Sequence, residues 1–381
     1  MLPISSLLKP RRLALGAAIA AAVTLGLAYR FALKYREKAG LPHRSPVEGS
    51  PADFGLAFET VDVPSGETTL AGWWVPAPGS AAGGSRQSGP RPAVAIVHGW
   101  ESHRGRSMAH ARYLNAAGFH CLVIDVRGHG DNPPEELPIS VPEFAADAAS
   151  AARWLAARPD VSAVGLLGHS MGGAGVILAA AAEPSVRAVV ALSSPADLVR
   201  MTRRTFEMAE IRVPGPLATP LAYLTAMVLL IPRRHSIDDA DACLAASRYR
   251  GPLLLLHGED DRGVPPAHLE LIAEAARQTR IAEDSATVET LTIPGYGHRW
   301  LFEEAEVRRR TASFLARSCG GPGAPEEAGD LAAVCHVERP ENPVYGFGAS
   351  STAQAAAAET REEARREARR ARASAGRPFT E

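Results

Sequence analysis

The sequence predicts an α/β fold with a mostly parallel central sheet and helices on both of its faces, because two patterns alternate along the chain. Short, almost wholly apolar runs recur, namely AVAIVHG, CLVIDVRG, AVGLLGHS, AVVALSS and LLLLHGED. Segments of helical periodicity lie between them, at about 104–117, 142–158, 172–183 and 266–279. Strands that are apolar on both faces and alternate with helices are typical of parallel sheets buried between two helical layers.

Further strands at both ends extend this pattern, so we expect the domain to span residues 58–317. The runs FETVDV and TLAGWWVP flank the turn PSGE, which predicts an antiparallel pair. TVETLTIPG predicts a last strand, and WLFEEAEVRRRTASFLARS predicts a closing helix. The interval between AVVALSS and LLLLHGED is long and predicts a cap at about 197–247. It contains PGPLATPLAYLTAMVLLIP, for which a second membrane span is the alternative to a lid over the site.

The N-terminal region predicts a single-pass membrane anchor. Residues 13–29 carry no charge, and basic residues lie on both sides of them. We therefore expect a short tail at 1–12, a transmembrane helix at 13–33 and a Pro/Gly/Ser-rich linker at 34–57. A cleaved signal peptide is the alternative, but a basic cluster follows where a neutral start is typical. The basic residues slightly favour a main domain on the cytoplasmic side.

Composition excludes several classes of partner and cofactor. The 41 basic and 42 acidic residues give a net charge of −1, so no basic field favours nucleic acid. None of the four cysteines forms a C-x-x-C pair, so neither a zinc site nor a thioredoxin-like site is indicated. We expect no metal and no organic cofactor. The sequence does not predict the oligomeric state.

The C-terminal segment 318–381 has a different composition from the domain. It is rich in Gly, Pro and Ala and then continues as ETREEARREARRARA, which has almost no apolar face. We expect a disordered tail or a solvated helix, and a helix that docks a partner is the alternative.

Ser170 is the candidate nucleophile. It lies in GHSMGG, between an apolar strand and a helix, and Gly168 and Gly172 relieve the crowding of a sharp turn. The pattern G-x-S-x-G in this context predicts a nucleophile elbow, in which the hydroxyl projects at the sheet edge beside a helix N-terminus. A purely structural turn is the alternative.

A serine hydroxyl needs a base, and the base needs a carboxylate to orient it. His298 in PGYGHRW follows the last strand on a glycine-flanked loop, whereas His169 and His129 fit packing or turn roles better. The loop HGEDDRGVPP offers Glu259, Asp260 and Asp261, and spacing alone does not choose among them. The backbone amides of Trp100 and Met171 are the candidate oxyanion donors, because Met171 opens the helix after the elbow and Trp100 follows the His-Gly pair at the end of an earlier strand.

Taken in order, HGW, DVRGHG, GHSMGG, HGEDDRGVP and GYGH resemble the α/β-hydrolase superfamily, most closely its esterase, lipase and aminopeptidase-like serine hydrolases. The resemblance covers about 58–317. It implies the α/β-hydrolase fold, with a cap between the strand before the acid and the strand of the acid. In the family pattern His-Gly-x-x-Asp-x-x-Val-Pro the fifth position is the acid, which here is Asp261, with Asp260 as the runner-up. The segment from Asp125 to Gly130 matches a turn that orders its loop and is not catalytic.

The resemblance implies a membrane-anchored serine hydrolase acting on a small acyl or peptide-like substrate through a Ser170, His298 and Asp261 triad. An esterase fits best, because the cap residues suit acyl chains or a bilayer; they are Leu217, Leu221, Tyr223, Leu224, Met227 and Leu229. A peptidase or a thioesterase of the same fold is the near alternative, and a non-catalytic hydrolase-like scaffold is a different one. Dehalogenase chemistry is disfavoured, because its nucleophile is Asp and position 170 is Ser.

Overall fold

A computed structural model describes residues 4–79, 89–280, 287–321 and 323–337 of the chain. Their strands form one mixed sheet. The strands are β1 (Glu59–Ser65), β2 (Thr68–Val75), β3 (Arg91–Val97), β4 (His120–Ile124), β5 (Val161–His169), β6 (Val186–Leu192), β7 (Leu253–Gly258) and β8 (Val288–Ile293).

The strand order across the sheet is β1-β2-β4-β3-β5-β6-β7-β8. The first two pairings, β1 with β2 and β2 with β4, are antiparallel, and every later pairing is parallel. The predicted, mostly parallel sheet with an antiparallel pair at its start is therefore confirmed. Because the parallel strands point the same way, the loops after β3, β5, β7 and β8 all emerge at one edge.

Helices cover both faces of the sheet and form the cap. They are α1 (Ile4–Ala39), α2 (Met108–Ala116), α3 (Val141–Ala156), α4 (Met171–Ala182), α5 (Leu198–Met208), α6 (Gly215–Leu230), α7 (Ala242–Arg248), α8 (Ala267–Gln278), α9 (Ala305–Cys319) and α10 (Pro325–Val334). Of these, α5, α6 and α7 occupy the interval between β6 and β7 that the sequence assigned to a cap.

The core has two halves because side chains alternate across the sheet. In β3, Ala93, Ala95 and Val97 belong to the apolar cluster that includes α3 and α4, whereas Val94 and Ile96 belong to the cluster that includes α2 and α9. All five side chains are buried. Burial of both faces explains why the central strands are continuous apolar runs in the sequence.

Among the described residues, α1 is one of two candidate membrane spans; the other, Gly215–Arg233 in the cap, is partly buried within the protein. The most apolar 18-residue stretch of the α1 segment Ala14–Ala39 has a mean hydropathy of 1.6, and this stretch is not buried against the rest of the protein. The helix continues to Ala39, beyond the predicted end at residue 33, so the first part of the predicted linker at 34–57 is helical. The final turns of α1 pack on the cap: the rings of Phe31 and Tyr35 lie edge-on to Phe206, at centroid distances of 5.5 and 5.8 Å.

Part of the predicted tail is folded. Helix α10 lies within 318–381 and packs on α9, with Ala328 and Ala332 buried. This differs from the prediction of a disordered or solvated segment. The Arg/Glu-rich stretch that was predicted as a disordered tail or a solvated helix lies outside the described residues.

The buried side chain of Arg308 holds α10 in place. Its guanidinium donates to the carbonyls of Ala332 and Ala333 at the end of α10, and to the carbonyls of Phe302 and Glu303 in the loop before α9, at 2.6–3.1 Å. A cation at a helix C-terminus also interacts favourably with the helix dipole. One side chain therefore ties α10 to the loop that follows the His298 segment.

We expect Arg308→Met to lower the free energy of unfolding by about 2–4 kcal/mol, because it leaves buried carbonyls without their charged donor. Calorimetric unfolding of the full chain in detergent should show a fall in Tm of several degrees. Arg309→Met is the matched control: Arg309 pairs with Glu306 and Asp330 at the surface, and such pairs contribute little. Equal shifts in the two variants would contradict the role assigned to Arg308.

Candidate active site

Ser170 lies on a sharp turn between β5, which ends at His169, and α4, which begins at Met171. Its backbone has φ 57° and ψ −122°, a conformation that costs a non-glycine residue strain energy. The neighbouring glycines permit the turn: a Cβ at Gly168 would collide with the backbone of Gly172, and one at Gly172 would collide with the carbonyl of His98. The sequence pattern of the elbow thus follows from backbone contacts that leave no room for side chains.

His298 lies on the loop after β8 and reaches Ser170. The distance from its Nε2 to Ser170 Oγ is 2.9 Å, and the geometry allows the hydroxyl to donate to the imidazole. The opposite ring nitrogen, Nδ1, lies 2.7 Å from Asp261 Oδ2 and donates to it. Side chains 128 and 37 positions apart in the sequence therefore form one continuous chain of hydrogen bonds.

The carboxylate of Asp261 is buried and held from several sides. Its Oδ1 accepts from the amides of Gly263 and Val264 at 2.9 and 2.8 Å, and His257 Nε2 lies 3.2 Å from Oδ2. Burial alone would raise the pKa of Asp261, but the attraction of His298 and the hydrogen bonds outweigh it and hold that pKa below its usual value. The group is therefore an anion aimed at the imidazole.

The three adjacent acidic residues of this loop differ in burial. Glu259 is exposed, Asp260 is half-buried and Asp261 is 4% exposed. The main-chain amide of Asp260 donates to the carbonyl of Tyr296 at 2.8 Å. The structure thus brings Asp261, rather than its two neighbours, to Nδ1 of His298.

His169 supports the backbone of the His298 loop. Its Nε2 donates to the carbonyl of His298 at 2.7 Å, and the two rings lie 5.0 Å apart. Burial, together with the electrostatic effect of the neighbouring His298, lowers the pKa of His169 to about 3, so its ring is neutral. This agrees with the hydrogen-bonding role expected for it.

The loop after β3 lies directly against Ser170. A Cβ at Gly99 would lie 3.1 Å from the Ser170 Cβ, so this loop approaches the serine at van der Waals distance. Trp100 follows on the loop, and Met171 opens α4, whose first amides point out of the helix without intrahelical acceptors. Both residues with candidate oxyanion amides therefore lie beside the hydroxyl.

Sequence reasoning missed the residues that fix this loop. His98 Nε2 accepts from the amide of Val126 at 3.0 Å, and its Nδ1 donates to the carbonyl of Gly99. The buried Asp125 accepts from the main-chain amide of Arg104 at 2.6 Å and forms an ion pair with its guanidinium. The DVRGHG motif signalled an ordered turn, but nothing in the sequence identified Arg104 as its partner.

Two cavities meet at Ser170 and His298. The loop cavity is lined by residues after β3 and in the His298 loop, among them Trp100, Arg106, His110 and Trp300. The cap cavity also borders Ser170 and is bounded by residues of α1, α3, α5 and α6. It has about 930 Å³ of empty space, including the solvent at its open mouth. The described residues contain no cluster of three His, Cys, Asp or Glu side chains suited to a metal.

Parts of this sequence are similar to a known protein family and to individual known proteins. The family described as Serine aminopeptidase, S33 matches residues 88–229. The human protein ABHD12B is 27% identical over 59% of this chain and 61% of its own length. The monoacylglycerol lipase of Mycolicibacterium smegmatis is 28% identical over 58% of this chain and 85% of its own length. The chain thus spans less than two thirds of ABHD12B but most of the lipase.

Among solved structures, an esterase of Pyrococcus furiosus superposes with a TM-score of 0.57. It is 21% identical in sequence, and the match covers 74% of this chain and 99% of the esterase. At that identity the likeness concerns the fold, which is the one that the sequence motifs predicted.

Proposed function

Because this chain belongs to the α/β-hydrolase superfamily and is similar to its lipases and esterases, we propose that it is a serine hydrolase that cleaves carboxylic esters of apolar acyl groups. The observation that carries the proposal is the chain of hydrogen bonds from Ser170 through His298 to Asp261, with distances of 2.9 and 2.7 Å. This arrangement supplies a nucleophile, a base and an orienting anion at the mouth of two cavities.

In the proposed reaction, Ser170 Oγ attacks the ester carbonyl carbon while its proton moves to His298 Nε2. The carbonyl becomes a tetrahedral oxyanion, and His298 then gives the proton to the leaving alkoxide as the carbon–oxygen bond breaks. Water, deprotonated by the same imidazole, attacks the acyl-enzyme and releases the acid. Asp261 keeps Nδ1 protonated and stabilises the imidazolium that forms in each half-reaction.

The amides of Trp100 and Met171 are the proposed donors to the oxyanion. Their value lies in preorganisation: the β3 loop is fixed by His98 and Asp125, and Met171 is fixed by α4. Donors that are already in position need not reorganise when charge develops on the carbonyl oxygen.

An ester is preferred to a peptide because of the cap cavity. Its walls include the apolar side chains of Ile139, Leu198, Met201 and Leu229. Such a wall suits an alkyl chain, and the similarity to a monoacylglycerol lipase supports the same choice. A serine peptidase is the second candidate, since the matching family is described as a serine aminopeptidase.

We also propose that α1 anchors the enzyme in a membrane, with the main domain on the cytoplasmic side. The most apolar stretch of α1, which is not buried against the rest of the protein, supports the anchor, and the basic residues after residue 29 support the sidedness. Protease protection of the full chain in sealed vesicles tests the sidedness.

A fluorophosphonate probe tests the proposed chemistry, because it reacts with an activated serine and not with an ordinary hydroxyl. We expect the full chain in detergent to be labelled, and Ser170→Ala to remain unlabelled. Turnover of p-nitrophenyl esters, compared with aminoacyl anilides, then separates the esterase from the peptidase. A wild-type chain that neither reacts with the probe nor hydrolyses any ester would support the non-catalytic scaffold instead.

A further inference from the structure

The membrane-anchor helix contributes directly to the cavity at Ser170. Tyr35 and Ala39, in the last turns of α1, line the cap cavity together with Ser170 and His298. A helix that served only as a tether would not need to line the cavity that holds the reacting hydroxyl. The wall formed by α1 is therefore part of the site.

The end of α1 is fixed in position rather than loosely tethered. Tyr35 and Phe31 pack edge-on against Phe206 of α5, and Arg36 Nη1 donates to the carbonyl of Val228 in α6 at 3.4 Å. The carbonyl of Gly40, directly after α1, accepts from the amide of Ile139 at 2.8 Å. Both the cap and the loop before α3 thus hold this wall against the cavity.

The chemistry of the cavity favours an alkyl chain. Several of its polar groups are already satisfied within the protein: Thr205 Oγ1 donates to the carbonyl of Met201 at 2.9 Å, and the carboxylate of Asp197 caps α5 and pairs with Arg200. These groups offer a ligand little hydrogen-bonding capacity. The apolar side chains between them gain most from an apolar occupant.

We propose that the last turns of α1 form one wall of the acyl-chain site, so that the anchor helix itself sets the acyl-length preference of the enzyme. This inference rests on the proposed ester hydrolysis. It assigns Tyr35 and Ala39 a role in specificity, through contact with the acyl chain, and no part in the bond-breaking steps.

Ala39→Trp tests the proposal, because an indole at position 39 narrows the cap cavity at the wall formed by α1. In the full chain in detergent, we expect kcat/KM for p-nitrophenyl laurate to fall at least tenfold, while that for p-nitrophenyl acetate stays within about twofold. The control is Ala22→Trp, which makes the same change on an exposed position of α1 far from the cavity. It should leave both esters unchanged.

Tyr35→Ala provides the opposite change and covers the case in which Ala39→Trp does not fold. Removal of the ring enlarges the cavity, so the ratio of palmitate to acetate turnover should rise at least threefold. An unchanged chain-length profile in both variants, or in the only one that folds, would overturn the proposal. That result differs from failure of the proposed function, in which the wild-type chain itself shows no ester turnover.

Discussion

Ser170→Ala should lower kcat for p-nitrophenyl esters by a factor of about 10³ or more. Of the three hydrogen-bonded side chains, Ser170 carries the hydroxyl that forms the acyl-enzyme. His298 Nε2 lies 2.9 Å from this hydroxyl and can take its proton. Binding and the oxyanion donors remain in the variant, so a small residual rate over water is expected. KM should change little, because the substitution removes an interaction made in the transition state.

The measurement is steady-state hydrolysis by the full chain in detergent, with calorimetric unfolding of the same samples. Alanine relieves no strain at position 170, because it needs the same positive φ, so the stability should stay close to that of the wild type. Ser185→Ala, in the turn before β6, is the matched control and should retain full activity. Substantial turnover by a folded Ser170→Ala chain would remove this serine from the mechanism.

The central fold was predictable because strands that are buried on both faces are continuous apolar runs in the sequence. The five apolar runs became β3 to β7, and the helix expected at 172–183 is α4, Met171–Ala182. A parallel strand covered on both faces has no solvent side, so Ala93 to Val97 show no polar residue. Such segments are recognisable without knowledge of their neighbours in space.

The elements that were missed depend on partners distant in the sequence. Helix α10 has a buried face made only of small residues such as Ala328 and Ala332, which carry a weak hydrophobic signal in a Gly/Pro/Ala-rich segment. Its anchor is Arg308, whose sequence context is that of a surface helix residue. Likewise, the apolar run of α1 predicts a membrane helix but does not say that Tyr35 packs on Phe206 beside the cavity.

The candidate site could be predicted in part. Ser170 and His298 stand out because glycines mark the turns that carry them, and the structure brings the two side chains together. The acid was harder: three consecutive acidic residues follow β7, and only the family pattern favoured Asp261. The three acidic residues differ in burial and in which side chain the loop turns towards His298. Neither property can be read from the sequence.

Asp261→Asn should lower kcat by about 10⁴, the second large effect expected of this site. The carboxylate is an anion, since its electrostatic attraction to His298 and the hydrogen bonds to its oxygens keep its pKa below the usual value in spite of burial. Asparagine has nearly the same shape but no charge, and its amide can donate to the imidazole instead of accepting. The ring then presents a protonated Nε2 to Ser170 and cannot act as a base.

Asp260→Asn is the matched control, because it makes the same chemical change one residue away. We expect kcat within about fivefold of the wild type, since the carboxylate that accepts from His298 Nδ1 is that of Asp261. The pH profile adds a second readout: because the pKa of Asp261 is depressed, this carboxylate loses its charge only below the usual range for aspartate, and protonation of Asp261 should not limit activity near pH 5. A larger loss in Asp260→Asn than in Asp261→Asn would transfer the orienting role to the neighbouring carboxylate.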